Sequence, residues 1–221
     1  TYLRERGISE EERTQWQLGL APETAASLYE HLLAQGFAQS VILAAGLCID
    51  RTMTQGRALD RFRGRIMFPI ADAQGRTVGF GGRTIVGDDA KYLNSPESSL
   101  YRKSEILYGM NHAIPHIRAS KRAVLVEGYF DVLACVRAGV RNVVGSCGTA
   151  LTDQHVRSLK RNCETLVLCF DADAAGRAAA DRAWITAVGN GLQVEGVVLP
   201  TKDPADLALE SLEGLSAALM A

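Results

Sequence analysis

The chain has 221 residues, 47% of them apolar and 22% charged, with a formal net charge of −1, which fits one large or two modest soluble globular domains and excludes a disordered polymer. No run of about 18 apolar residues occurs, so the sequence offers no membrane span. The charged start, TYLRERGISEEER, lacks the apolar stretch of a signal peptide, and a first residue other than Met points to a fragment.

The near-neutral total conceals a gradient. Residues 51–103 carry ten basic and five acidic side chains, whereas residues 1–50 carry three and seven and residues 104–221 carry eleven and thirteen. A basic middle in an otherwise acidic chain suits a polyanion partner or a solvated charged face equally well. The five cysteines, Cys48, Cys135, Cys147, Cys163 and Cys169, include no C-x-x-C pair, which argues against a disulfide framework and a zinc site and fits a reducing, cytoplasmic setting. His112 and His116 are four apart, but Pro115 intervenes and no Glu follows His112, so they are not a zinc-protease pair.

In chain order, the first fifty residues read as helices. Ser9 and Glu12 make a capping box, and PETAASLYEHLLAQG has Pro22 near a helix start and Gly36 where it would stop. AQSVILAAGL at 38–47 reads as a further short helix. From 64, GRIMFPI, ADAQGR and TVGFGGR read as strand, turn and strand, with Gly75 supplying the positive φ of the turn. Residues 87–103, GDDAKYLNSPESSLYRK, have little apolar periodicity and predict a loop. LYGMNHAIPHIRAS predicts a helix limited or kinked by Pro115.

From 123 the chain alternates apolar strands (AVLV, NVVG, TLVLCF, VEGVVL) with helical segments, the signature of a parallel sheet covered on both faces. Ligands of such sheets bind beyond the carboxyl ends of the strands. Glu127 follows the first strand, Ser146–Thr149 the second, Asp171 and Asp173 the third, and Asp203 and Asp206 the fourth. Asp131 lies one turn further into the helix after Glu127. Two aspartates one residue apart at an apolar strand end repel unless a cation or hydrogen bonds compensate. Asp173 alone reads equally well as a helix N-cap, but carboxylates at three strand ends with no histidine or thiolate suit Mg²⁺ or Mn²⁺. The SCGT turn at 146–149 is expected to bring backbone N–H groups to the same rim. An aspartyl-phosphate phosphatase would place FDAD on its first strand rather than its third, and no G-x-G-x-x-G or Walker loop occurs.

VLVEGYFDVL with LCFDADAAGRAAA resembles the Toprim module of primases, topoisomerases, nucleases and recombination mediators. FRGRIMFPI, GRTVGFGGR, KYLNSP and ILYG resemble the catalytic core of the bacterial DnaG-type primase. The resemblance implies a Toprim-type parallel sheet with helices on both faces, preceded by a smaller α+β subdomain. The expected limits are 1–120, 121–206 for the metal-binding part, and 207–221 as the start of a truncated helical subdomain.

The implied activity is synthesis of short RNA primers on single-stranded DNA, with ribonucleoside triphosphates and the nascent primer as partners. The alternatives are a Toprim nuclease and a non-catalytic recombination mediator. By motif, Glu127, Asp171 and Asp173 match the catalytic metal-binding acids, Asp131 closes E-G-Y-x-D, and Asp203 opens a D-P-D motif that here reads DPAD. Ala205 therefore stands at the second acid's place, and Asp206 is a candidate substitute. Two or more Mg²⁺ or Mn²⁺ ions are implied. Arg61, Arg63, Arg65, Arg83, Lys91, Tyr92, Asn94 and Lys103 match residues that contact template, nucleotide or primer. A zinc module and a module that binds the replicative helicase are expected outside this stretch.

Overall fold

The computed structural model describes residues 2–87 and 90–220; Asp88 and Asp89, inside the expected loop, lie outside the described residues. The chain folds as two compact units. Ile8–Ile70 and Thr77–Arg102 make up most of the first, and Leu3–Gly7, Ala71–Arg76 and the chain from Lys103 onward make up the second.

The N-terminal half runs α1 (Tyr2–Glu5), α2 (Glu10–Gln15), β1 (Gly19–Ala21), α3 (Ser27–Ala34), α4 (Gln39–Ala44), β2 (Cys48–Ile49), α5 (Thr52–Gln55), β3 (Leu59–Asp60), β4 (Arg65–Ala71), β5 (Thr77–Thr84) and β6 (Tyr92–Asn94). The capping box before α2 forms: Ser9 Oγ accepts the Glu12 N–H at 3.1 Å and Glu12 accepts the Ser9 N–H at 2.7 Å. α3 is capped from a distance. Ala26 has no side-chain oxygen to offer, and the buried Asp60 accepts the N–H groups of Leu28 and Tyr29 at 2.8 and 2.9 Å instead. Tyr29, Ile42, Cys48 and Ala58 then close a small core.

Two expectations change in this unit. The first fifty residues are not all helical: β1 pairs antiparallel with β4, and β2 with β3, and strands of two or three residues are too short to show a period of two. The loop expected over 87–103 contains β6, which pairs antiparallel with β5 through Arg83↔Tyr92 and Gly81↔Asn94. Ser95 extends the zipper by donating its N–H to Phe80 O and accepting the Phe80 N–H. The turn between β4 and β5 forms as predicted, with Gly75 at φ +82° and its N–H on Asp72 O.

The second unit carries α6 (Met110–Ser120), β7 (Arg122–Val126), α7 (Tyr129–Arg137), β8 (Val143–Gly145), α8 (Asp153–Lys160), β9 (Thr165–Leu168), α9 (Ala174–Gly189), β10 (Gln193–Gly196), α10 (Pro204–Glu210) and α11 (Leu212–Met220). The sheet order is β10-β9-β7-β8, all parallel. Ala123, Leu125, Leu166 and Leu168 face a core that includes Ile117, Val156, Leu159, Ala183 and Ala187 from α6, α8 and α9. The alternate residues Val124, Val126 and Val167 point the other way and are equally buried, so both faces are covered; α7, α10 and α11 pack together as the remaining helical layer.

Three boundaries differ from expectation. α6 begins at Met110, because Tyr108 instead exchanges two backbone hydrogen bonds with Gly145 at 2.9 and 3.0 Å. It also runs through Pro115 to Ser120 rather than stopping there. β10 ends at Gly196, short of the apolar VVL that suggested a longer strand, and Val198 is exposed.

Candidate active site

Each expected acid is anchored by a backbone donor except Asp171 and Asp206. Glu127, one residue past β7, accepts the Asp171 N–H on Oε1 at 2.9 Å and so ties together the ends of β7 and β9. Asp173 caps α9, accepting the Gly176 N–H at 2.9 Å, and Asp203 caps α10, accepting the Asp206 N–H at 2.7 Å. Gly176 allows this turn to close: a Cβ there would sit 2.2 Å from Asp171 O.

Asp171 differs from its neighbours. No hydrogen bond to its carboxylate forms among the described residues, and burial, followed by the charges of Glu127 and Asp203, lifts it to about 6 against the pull of Lys202. Asp173 is held below the usual carboxylate range, first by the Gly176 N–H. Asp131 is buried at 7% exposure. Its oxygens accept the Gly128 and Ala205 N–H groups at 2.8 and 3.3 Å, yet burial and then the charges of Asp203 and Asp171 lift it to about 7.

The expectation that the SCGT turn offers N–H groups to this rim needs correction for three of its residues, since Thr149 donates its N–H to Ser146 O within the turn. Ser146 and Cys147 donate to Val126 O and Glu127 O, which fastens the turn to the end of β7. Cys147 takes the left-handed region there, φ +48°. A cavity of about 180 Å³ opens beside the turn, lined by Glu127, Ser146, Thr149, Phe170, Leu151 and Arg182 among others. Arg182, Lys202 and Gly176 were not singled out from the sequence. Lys202 directly precedes Asp203 and Gly176 lies three residues after Asp173, which are the signals that could have found them.

The basic segment divides into two kinds of residue. Arg63 and Lys91 are exposed, and so is Tyr92, whose ring lies 5.8 Å from Lys91 Nζ. The others serve the backbone. Arg65 is buried at 4% exposure and donates to Gly82 O and Ala90 O at 3.2 and 2.9 Å, which ties β5 to the segment before β6. Arg61 donates twice to Asn94 O, and burial lowers its pKa. Arg83 donates to Thr84 O and stacks 4.6 Å over the Tyr2 ring. In the other unit, Lys103 is half-buried and its carbonyl meets His155 Nε2 at 2.8 Å.

Two family models cover most of the chain: DNA primase catalytic core, N-terminal domain, over residues 1–114, and Toprim-like over residues 124–208. The chain belongs to the DNA primase catalytic-core family. It is 41% identical over 207 residues to a DNA primase of Halalkalibacterium halodurans, covering 93% of this chain and 34% of that protein. It therefore spans about a third of the length of the curated primases it matches. Its fold is similar to the RNA polymerase domain of Mycobacterium tuberculosis primase DnaG, with TM-score 0.91 and 37% identity over 99% of this chain and 74% of that one. It is also similar to a DnaG primase catalytic domain solved bound to single-stranded DNA, with TM-score 0.84 and 36% identity over 98% and 68%.

A primase core of this family is expected to hold divalent cations, and the donors suit them in kind. They are hard oxygens, and Asp171 carries charge that no hydrogen bond from the described residues compensates. As placed, however, no three His, Cys, Asp or Glu side chains among the described residues form a set that could hold one ion. Asp131 and Asp206, both expected ligands, have other partners: Asp131 the two N–H donors, and Asp206 the Arg6 guanidinium at 3.6 Å. No helix among the described residues is long and apolar enough to cross a membrane.

Proposed function

We propose that this chain is the catalytic core of a DNA-dependent RNA polymerase that joins ribonucleotides into short primers on a single-stranded DNA template. The observation that carries this reading is the pairing of Asp171 with Glu127, whose Oε1 accepts the Asp171 N–H at 2.9 Å at the carboxyl edge of the sheet, in a chain that matches a primase core over both of its halves. The reaction is attack of a ribose 3′-hydroxyl on the α-phosphorus of an incoming ribonucleoside triphosphate, with pyrophosphate leaving. Two or more Mg²⁺ or Mn²⁺ ions, when bound, would supply Lewis acidity that lowers the pKa of the hydroxyl and offsets phosphate charge.

Glu127, Asp171, Asp173 and Asp203 are the residues assigned to hold these ions. Three of them keep one oxygen on a backbone N–H, which fixes the orientation of the carboxylate before a ligand arrives. Glu127 retains Oε2 as a candidate base for the attacking hydroxyl. Residues 121–206 are thereby assigned to ion holding and residues 1–120 to template and nucleotide handling. Arg63, Lys91 and Tyr92 are exposed for phosphate and base contact, Arg83 and Lys103 are assigned to phosphate oxygens, and Arg61, Arg65 and Asn94 shape that surface from beneath. The five free cysteines fit a reducing compartment, and the activity is placed in the bacterial cytoplasm. Contact with a replicative helicase is assigned to a module outside this stretch.

Incorporation of labelled ribonucleotides on single-stranded template, with Mg²⁺ or Mn²⁺, tests the reading on this chain and its Asp171→Ala variant. Synthesis by the parent and none by the variant supports it. Equal synthesis by both, or release of shortened DNA without nucleotides, overturns it.

A further inference from the structure

The last acid of DPAD has a partner of its own. Ala205 is buried, and its N–H donates to Asp131 Oδ1. Asp203 accepts the Asp206 N–H on one carboxylate oxygen and so caps α10. Asp206 is thus fixed in the first turn of α10, with its carboxylate 3.6 Å from Arg6 Nη1.

Arg6 is itself held. Arg137, in the last turn of α7, donates to the carbonyls of Arg6 and Gly7 at 3.2 and 2.8 Å. Gly7 sits at φ +71°, where a Cβ would lie 2.9 Å from Arg137 Nη1. The Arg6 guanidinium lies 5.9 Å from the centroid of the Phe130 ring. An exposed ion pair contributes little when two long side chains must be ordered to form it. Here the backbone at 6 and 7 is already fastened and an aromatic face orients the guanidinium, so much of that ordering is complete before the pair forms.

We propose that Arg6 is a positioning residue that holds Asp206 out of the cation site, leaving Glu127, Asp171, Asp173 and Asp203 as its ligands. Asp206 therefore does not stand in for the acid that Ala205 replaces. A cation that recruited Asp206 would have to displace a tethered guanidinium, and the N-terminal segment Leu3–Gly7 would lose one of its ties to the rest of its unit. This rests on the cation-binding reading above.

The test is Mn²⁺ binding to the whole chain, followed by the electron paramagnetic resonance signal of free Mn²⁺. Asp206→Asn is expected to bind like the parent, and Arg6→Gln to bind roughly two- to fivefold more tightly. That gain is expected to vanish in the double variant, which separates release of Asp206 from mere loosening of the N-terminus. Loss of affinity in Asp206→Asn, no gain in Arg6→Gln, or a gain that survives in the double variant overturns the proposal and leaves the reading of the rim intact. Unchanged binding in Asp171→Asn overturns both.

Discussion

The Asp171 N–H donates to Glu127 Oε1 at 2.9 Å across two neighbouring parallel strands. One carboxylate therefore does two jobs, closing the sheet edge and presenting negative charge there. Glu127→Gln keeps an acceptor oxygen for the Asp171 N–H and removes the charge. RNA synthesis is expected to fall at least about 100-fold while the melting temperature stays near the parent's. Glu127→Ala leaves that N–H unmet and is expected to destabilise the chain by about 1–2 kcal/mol as well. Incorporation assays beside thermal melts separate the two variants, and a Gln variant with full activity would remove Glu127 from the chemistry.

Asp171 links the site to pH. Its folded pKa, about 6, lies above the ordinary value of 3.8. The folded chain thus binds more protons than the unfolded one between those values, and stability contributed by protonated Asp171 is lost as pH rises through 6. Asp171→Asn removes that loss. Without divalent cation, the variant's melting temperature relative to the parent's is expected to climb from pH 4 to about pH 6.5 and then level off. The full gain is on the order of 1 kcal/mol once solvent screening is allowed for. Added Mg²⁺ is expected to stabilise the parent alone at pH 7.5. A pH-independent difference between the two melts would show that Asp171 carries no such strain.

Gly176 and Gly189 stand in the same helix with opposite demands. A Cβ at Gly176 meets Asp171 O and C at 2.2 and 2.8 Å, whereas one at Gly189 meets nothing within 4 Å. Gly176→Ala is expected to push the turn carrying Asp171 and Asp173 off its position, costing about 2–3 kcal/mol, and to abolish synthesis. Gly189→Ala is expected to stabilise the chain by about 0.4–1 kcal/mol through unfolded-state entropy. Denaturant melts of the two variants give the comparison, and similar midpoints would contradict the close approach at Gly176.

The alternation of strands and helices after residue 123 was legible because β7, β8 and β9 are short apolar runs buried on both faces, such as Leu166–Leu168, although β10, QVEG, is largely exposed. The acids were legible as residues at strand ends. Their anchoring was not, because it depends on long-range donors: Asp131 reaches Ala205 across 74 residues. The same holds for Asp60, whose cap on α3 spans 31 and 32 residues. β6 was missed because YLN is edge pairing of three residues with no periodicity of its own, stabilised by the strand beside it. Within RFRGR, three arginines look alike, and only the fold distinguishes the exposed Arg63 from the buried Arg65.

That distinction predicts two different failures. Arg63 is exposed, so Arg63→Ala is expected to leave the melting temperature unchanged and to weaken single-stranded DNA binding uniformly across sequences. Removing one phosphate-neutralising side chain lowers the slope of log affinity against log salt by roughly 0.7 for a single strand. Arg65→Ala takes the guanidinium donor from the buried Gly82 carbonyl and from the exposed Ala90 carbonyl and is expected to cost about 1–3 kcal/mol. Its effect on DNA binding then follows from disruption of the β5 and β6 surface rather than from one missing phosphate partner. Fluorescence anisotropy across a salt series, paired with thermal melts, checks both. An Arg65→Ala variant that melts like the parent but binds with a reduced salt slope would return Arg65 to the nucleic-acid face.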